Sequence, residues 1–176
     1  MRMIIKKIFS YSELPAGIRK KIRNDQAAIE GYQRAEECVN SLEELAKRFG
    51  SRMNRYNIDF FSCSHSFAEF VTEWEGDELT REEIGRRLAQ LGSYDPTTLR
   101  GLGDCVLTGD CVDETAIDAF RLAFMAGVSD LEKLLQAAFS AVVKEGQEDC
   151  EHQYSDETFK ELCEGEFYAD GKPYSD

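Results

Sequence analysis

The sequence predicts an α+β fold, with several helices packed on a small antiparallel sheet and residues 1–176 forming a single domain. Three observations predict it. Apolar residues recur at the helical period in several stretches, others alternate at the period of a strand, and no strand–helix–strand rhythm joins them as a parallel sheet requires. A chain of 176 residues is also long enough to bury a core without disulfides or a metal.

Taken in order, Arg2 to Phe9 reads as a first strand, with Ile4, Ile8 and Phe9 apolar among lysines. Ser12 and Pro15 then open a helix, one as cap and the other in the first turn. Ile18, Ile22 and Ile29 face inward from it, while Arg19, Lys20, Lys21 and Arg23 form a solvated basic face. Gly31 separates it from a second helix, Tyr32 to Phe49, whose stripe Ala35, Cys38, Val39, Leu42, Leu45, Ala46 and Phe49 keeps the 3.6 period. Gly50 ends that helix.

Alternation then takes over. Tyr56, Ile58 and Phe60 mark one strand, and Phe67 to Glu75 a second, with Ala68, Phe70, Thr72 and Trp74 on one face. Glu69, Val71, Glu73 and Glu75 occupy the other, so the hairpin is expected to show an acidic face to solvent. Thr80 and Glu83 form a capping box for a helix from Arg81 to about Leu91, and Ser129 with Glu132 forms another. Residues 92–103 read as loop, Cys105 to Thr108 as a short strand, and Asp113 to Met125 as a helix. The clearest helix carries Leu131, Leu134, Leu135, Ala138, Phe139 and Val142 inward. Beyond Gly146, Ser155 caps a short helix with Phe159 and Leu162 inward, and Asp170-Gly171 turns a hairpin-like tail over 166–174.

Charge is distributed unevenly. Residues 1–55 carry twelve Lys/Arg against seven Asp/Glu, whereas the remainder carries nine against twenty-seven. The segment 145–176 alone holds eleven acids and only Lys160 and Lys172. Such a field repels nucleic acid and speeds encounter with basic surfaces. Direct nucleic-acid binding by the basic helix face is therefore not expected. No run of eighteen apolar residues suggests a membrane span, and the N-terminal stretch has no apolar run of signal-peptide length, so a cytoplasmic address and reduced cysteines are expected.

The motifs for chemistry are weak. Cys63 with His65, and Cys150 with His152, place a thiol near an imidazole, but the six cysteines contain no paired zinc spacing. Asp104, Asp110, Asp113 and Glu114 cluster around Gly109 without the order of a calcium loop. Gly101 and Gly103 are followed by Asp104, where a phosphate loop would need a cation. The repeat of Gly-Asp-Cys-Val at 103–106 and 109–112 is too short for a solenoid. No cofactor and no catalytic residue is expected, and a metal-binding or cysteine-dependent enzyme assembled from distant residues is the alternative.

The acidic surface offers the sharper reading, against the alternative that it serves solubility alone. Glu69, Glu73, Glu75, Asp77 and Glu78 form one candidate partner-binding group. Glu148, Asp149, Glu151, Asp156 and Glu157 form a second, with Tyr154, Phe167 and Tyr168 as packing anchors among the acids.

On short motifs in order along the chain, the sequence resembles a group of small acidic phage and prophage proteins, mostly of unknown function. The matching residues are Phe9-Ser-Tyr-Ser-Glu-Leu14 before a basic helix, Ile58-Asp-Phe-Phe-Ser62, Tyr154-Ser-Asp-Glu157, and Glu166-Phe-Tyr-Ala-Asp-Gly-Lys172. It departs from them at 63–66, where similar proteins often carry a Gly-rich, Gln-containing turn. The resemblance implies a mobile-element protein in an infected or lysogenic bacterial host, with no catalytic residues to carry over. It implies inhibition of a host nucleic-acid-processing defence complex, of the anti-CRISPR or anti-restriction kind, through a nucleic-acid-mimicking surface. Some members are labelled antitoxin-like, so neutralising a basic toxin is the second expectation.

Overall fold

Pro15 fixes the backbone just ahead of the longest element, and a 3-10 turn at Tyr11–Glu13 delivers the chain to it. Ser10, rather than Ser12, caps that turn: Glu13 Oε2 accepts from the Ser10 amide at 2.9 Å and from its hydroxyl at 3.0 Å. These bonds hold the Glu13 carboxyl below its ordinary pKa. The structure, a computed structural model, describes residues 7–61, 65–72, 79–91, 107–108 and 112–174. Among them the fold is α+β: β1 (Ile8–Ser10), α1 (Ala16–Arg48), β2 (Ser51–Asn57), β3 (Phe67–Thr72), α2 (Arg81–Gln90), α3 (Val112–Met125), α4 (Leu131–Gln153), α5 (Asp156–Leu162) and β4 (Glu166–Tyr168).

The strands form two separate antiparallel pairs, β1 with β4 and β2 with β3, where one sheet was expected. Contacts gather into two compact units, one of residues 1–32 with 148–176 and one of residues 33–147. Helices α1 and α4 each contribute residues to both.

In unit 33–147, the stripe Leu42, Leu45, Ala46 and Phe49 is fully buried, as its period predicts. Ile84 of α2, Ala116 and Phe120 of α3, and Leu134, Leu135, Ala138 and Val142 of α4 complete the core. The rings of Phe49 and Phe120 stack with centroids 4.5 Å apart. Gly50, at φ 70°, ends α1 in a backbone conformation that only glycine adopts without cost. The capping box of Thr80 and Glu83 is present as expected, whereas α4 is capped one residue later than expected, by Asp130 Oδ1 accepting from the Lys133 amide at 3.2 Å.

Two sequence expectations are corrected here. The first strand of the hairpin starts at Ser51 and stops at Asn57, so Ile58 and Phe60 lie beyond it. Asp59 causes the stop: its amide donates to Ser66 Oγ at 2.9 Å, and its carboxylate accepts from the Phe61 amide at 2.9 Å. Gly31 does not break α1, which runs unbroken for 33 residues. Inside α4, Gly146 admits the Phe60 ring, and a Cβ there would lie 2.3 Å from it. The loop expected at 92–103, most of the strand expected at 105–108, and the Gly-Asp-Cys-Val repeat except Val112 lie outside the described residues.

Unit 1–32 with 148–176 has a smaller core of Tyr11, Leu14 and Phe167, with Phe9, Ile18, Ile22, Phe159 and Cys163 partly buried around it. Ser155 caps α5, accepting from the Thr158 amide at 3.2 Å. The tail hairpin forms as expected, its turn closed by the Gly171 amide donating to Tyr168 O at 2.9 Å. Gly171 is required twice over: its φ is 84°, and a Cβ would lie 2.7 Å from Ile18 Cγ2. Expected inward, Ile29 and Leu162 instead stand 58% and 66% exposed.

Candidate functional site

A groove of about 480 Å³ opens in unit 1–32 with 148–176. Helix α1 forms one wall with Ile22, Asp25, Gln26, Ile29 and Glu30. Helix α5 supplies Phe159 and Leu162 opposite, and Phe167, Gly171 and Pro173 of the tail close one end. Local sequence explains the openness: Ile22 and Ile29 stand seven residues apart on α1, with Asp25 and Gln26 between them. Aromatic packing sets the opposite wall. Phe159 lies edge-on to Tyr11, with centroids 5.1 Å apart, and 5.9 Å from Tyr154.

The rim is polar and anionic. Gln26 Nε2 donates to Glu30 Oε1 at 2.7 Å, and the Tyr154 hydroxyl donates to the other oxygen of Glu30. Burial and then this bond to a carboxylate push the Tyr154 phenol above its ordinary pKa. Among the described residues, Asp25 and Glu30 are the charged ones lining the groove, and no lysine or arginine lines it.

Beside the groove, Asp156 at the start of α5 ties that helix to α1. Arg23 donates to Asp156 Oδ1, Arg19 Nη2 to Oδ2 at 3.4 Å, and the Tyr11 hydroxyl to Oδ1 at 3.3 Å. Burial, followed by the Asp156 charge and hydrogen bond against the opposing arginines, raises the Tyr11 phenol pKa. The expectation of a solvated basic face therefore holds for Lys20 and Lys21, which are exposed, and fails for Arg19 and Arg23. A carboxylate at the right place on α5 draws both guanidiniums in.

The expected partner-binding residues fall into both units. Glu69 is exposed on β3, 3.6 Å from Arg55 across the ladder. Glu73, Glu75, Asp77 and Glu78 lie outside the described residues. Glu148, Asp149 and Glu151 occupy the last turns of α4, and Glu157 is exposed on α5. Among the described residues no cation pairs with Glu157, nor with the exposed Glu161, Glu164 and Glu166, which belong to the acidic 145–176 segment without being singled out in the sequence. Phe167, expected as a surface anchor, is 6% exposed and belongs to the core. Tyr168 is half-buried, edge-on to Tyr174 at 5.7 Å. The structure thus brings Tyr154 and Phe167 together on the groove, with Ile29 and Leu162 as members the inward assignment of both residues concealed.

For chemistry the described residues offer less. Asp113 is buried, but its carboxylate accepts from the amides of Leu107 at 2.9 Å and Thr108 at 2.8 Å and from the Thr108 hydroxyl at 3.0 Å. These bonds tie Asp113 to the backbone ahead of α3, while Asp104 and Asp110 of the same cluster lie outside the described residues. Among the described residues no three His, Cys, Asp or Glu side chains converge as metal ligands; Cys63, Cys105 and Cys111 lie outside them. Cys38 is buried, and desolvation pushes its thiol up to about 12, the reverse of what a nucleophile needs. No helix among the described residues is long and apolar enough to cross a membrane. No protein-family model matches the chain, and neither does any curated protein or solved structure.

Proposed function

We propose that the chain is a non-enzymatic binding protein that occupies a basic surface of a partner. The setting implied by its resemblance makes that partner a host nucleic-acid-processing defence complex, its nucleic-acid channel filled by carboxylates in place of phosphates. One observation carries the reading: Glu157, Glu161, Glu164 and Glu166 stand exposed along one short stretch with no described cation against them. Unpaired carboxylates at this density steer a basic partner from beyond contact distance, an effect that fades once salt shortens the screening length.

The test is protection of an infecting phage. Expressed in a bacterium with an active restriction or CRISPR system, the protein should raise the plating efficiency of a targeted phage. Replacing Glu157, Glu161 and Glu164 together by Gln should abolish most of that gain without unfolding the chain, since all three are exposed. Plating unchanged by the protein across both defence types sinks the defence-complex reading. Protection that survives the triple substitution sinks the role of these acids.

A further inference from the structure

The acids explain attraction to a basic surface but leave the apolar groove beside them without a task. Ile29 and Leu162 are 58% and 66% exposed, and Phe159 and Ile22 are half-buried beneath. Large apolar side chains left in water on two facing helices, rimmed by polar groups, mark a docking site rather than scattered surface residues. Charge selects the occupant. Asp25 and Glu30 line the groove, no cation does, and Asp25 has no partner among the described residues.

The manner of docking follows from the strands. Adding an extended segment to β4 is blocked on both sides, since β1 pairs along one edge and the Phe167–Pro173 bridge occupies the other. Side chains of α1, α5 and the tail line the groove, so the contact over it is side-chain-mediated, an apolar helix face laid between α1 and α5. We propose that the groove receives a basic amphipathic helix of the partner, its large aliphatic side chains between Ile29 and Leu162 and its Lys/Arg residues facing Asp25 and Glu30. This rests on the reading that the partner is basic and deepens it: the carboxylates supply encounter, and the groove supplies the buried anchor that holds the complex. Tyr154 is held on its wall by Glu30, so the site is formed before the partner arrives.

Two synthetic peptides of about 18 residues, long enough to form a helix on binding, test this by fluorescence anisotropy against the full chain. One places leucines at helical spacing among lysines. The other carries the same lysines with serine in place of every leucine. The leucine peptide should bind at least about tenfold more tightly. Ile29→Ser combined with Leu162→Ser should remove that advantage while leaving the serine peptide's binding unchanged. Both positions are exposed, and a circular dichroism spectrum matching the parent's shows that the variant is folded. Equal binding of the two peptides, or a leucine advantage that survives the double substitution, overturns the groove and leaves the basic-partner reading standing. Failure of both peptides to bind at low salt overturns the basic-partner reading and this inference with it.

Discussion

The two compact units use apolar residues differently. In 33–147 four helices close on one another, and large side chains such as Phe49, Phe120, Leu134 and Leu135 are almost wholly removed from water. Among the described residues of 1–32 with 148–176, Tyr11, Leu14 and Phe167 are the large side chains that reach that state, while Ile22 and Phe159 are half-covered and Ile29 and Leu162 stand out. Charge differs as well. The larger unit carries twelve Lys/Arg against twenty-one Asp/Glu, a net of −9, and the smaller nine against thirteen, a net of −4. Both units keep exposed apolar side chains and ion pairs; what sets the smaller one apart is that Ile29 and Leu162 flank one groove. The deeper core therefore belongs to one unit, and the apolar groove to the other.

The contrast is broken most directly by truncating one ring in the larger unit. Phe120→Ala removes a fully buried side chain that stacks on Phe49, and should cost about 3–5 kcal/mol. Ile22→Ala in the smaller unit removes a half-covered side chain already bordering open space, and should cost only about 1–2 kcal/mol. Urea titrations of the two variants measure both. If Ile22→Ala proved the costlier, the groove wall would be a structural core and not a surface awaiting a partner.

A pH titration sharpens the same contrast. Cys38 is buried in the larger unit, and desolvation raises its thiol to about 12 in the folded chain. An acid with a raised folded pKa keeps its proton in the fold while the unfolded chain loses it, so its contribution is complete below the unfolded value. Stability should then fall by up to about 1.4 kcal/mol per pH unit between roughly pH 9 and 12. Cys38→Ala should flatten that part of the profile, measured by urea midpoints at several alkaline pH values. An identical slope in the variant would mean that the thiol is already solvated.

Much of this arrangement is legible in the sequence. The stripe from Cys38 to Phe49 and that from Leu134 to Val142 give the buried faces of α1 and α4, because a helix repeats its core contacts every three or four residues. Gly31 misleads because glycine reads as a helix stop, whereas Gly146, inside α4, admits the Phe60 ring. Ile29 misleads because periodicity reports which face of a helix is apolar and says nothing of what covers it. The pairing of β1 with β4 joins residues nearly the whole chain apart, and the capture of Asp156 by Arg19 and Arg23 spans more than a hundred. Such contacts leave no local pattern. The acidity of the C-terminal segment is plain in the composition, but which of its acids remain unpaired depends on those distant arginines.

That last dependence gives the smallest and most discriminating expectation. Asp156 is 49% exposed, and Arg19 and Arg23 are 26% and 18% exposed, so water screens the group and each pair contributes at most about 1 kcal/mol. Asp156→Asn keeps the shape of the side chain but removes its charge, and should lower stability by about 1 kcal/mol or less. Changing Lys20 and Lys21 together to Glu alters charge by twice as much per residue, yet both side chains are exposed on α1 and should shift stability still less. Urea midpoints at low salt resolve the difference, and both effects should shrink as salt is added. If the lysine reversal were the more damaging, attraction between the basic start and acidic end of the chain would be general rather than confined to one carboxylate. Glu157, Glu161 and Glu164 would then be partly neutralised by the chain itself, and a partner would find a weaker field. If Asp156→Asn is the more damaging, one acid closes α5 on α1 and its exposed neighbours remain available to a basic surface.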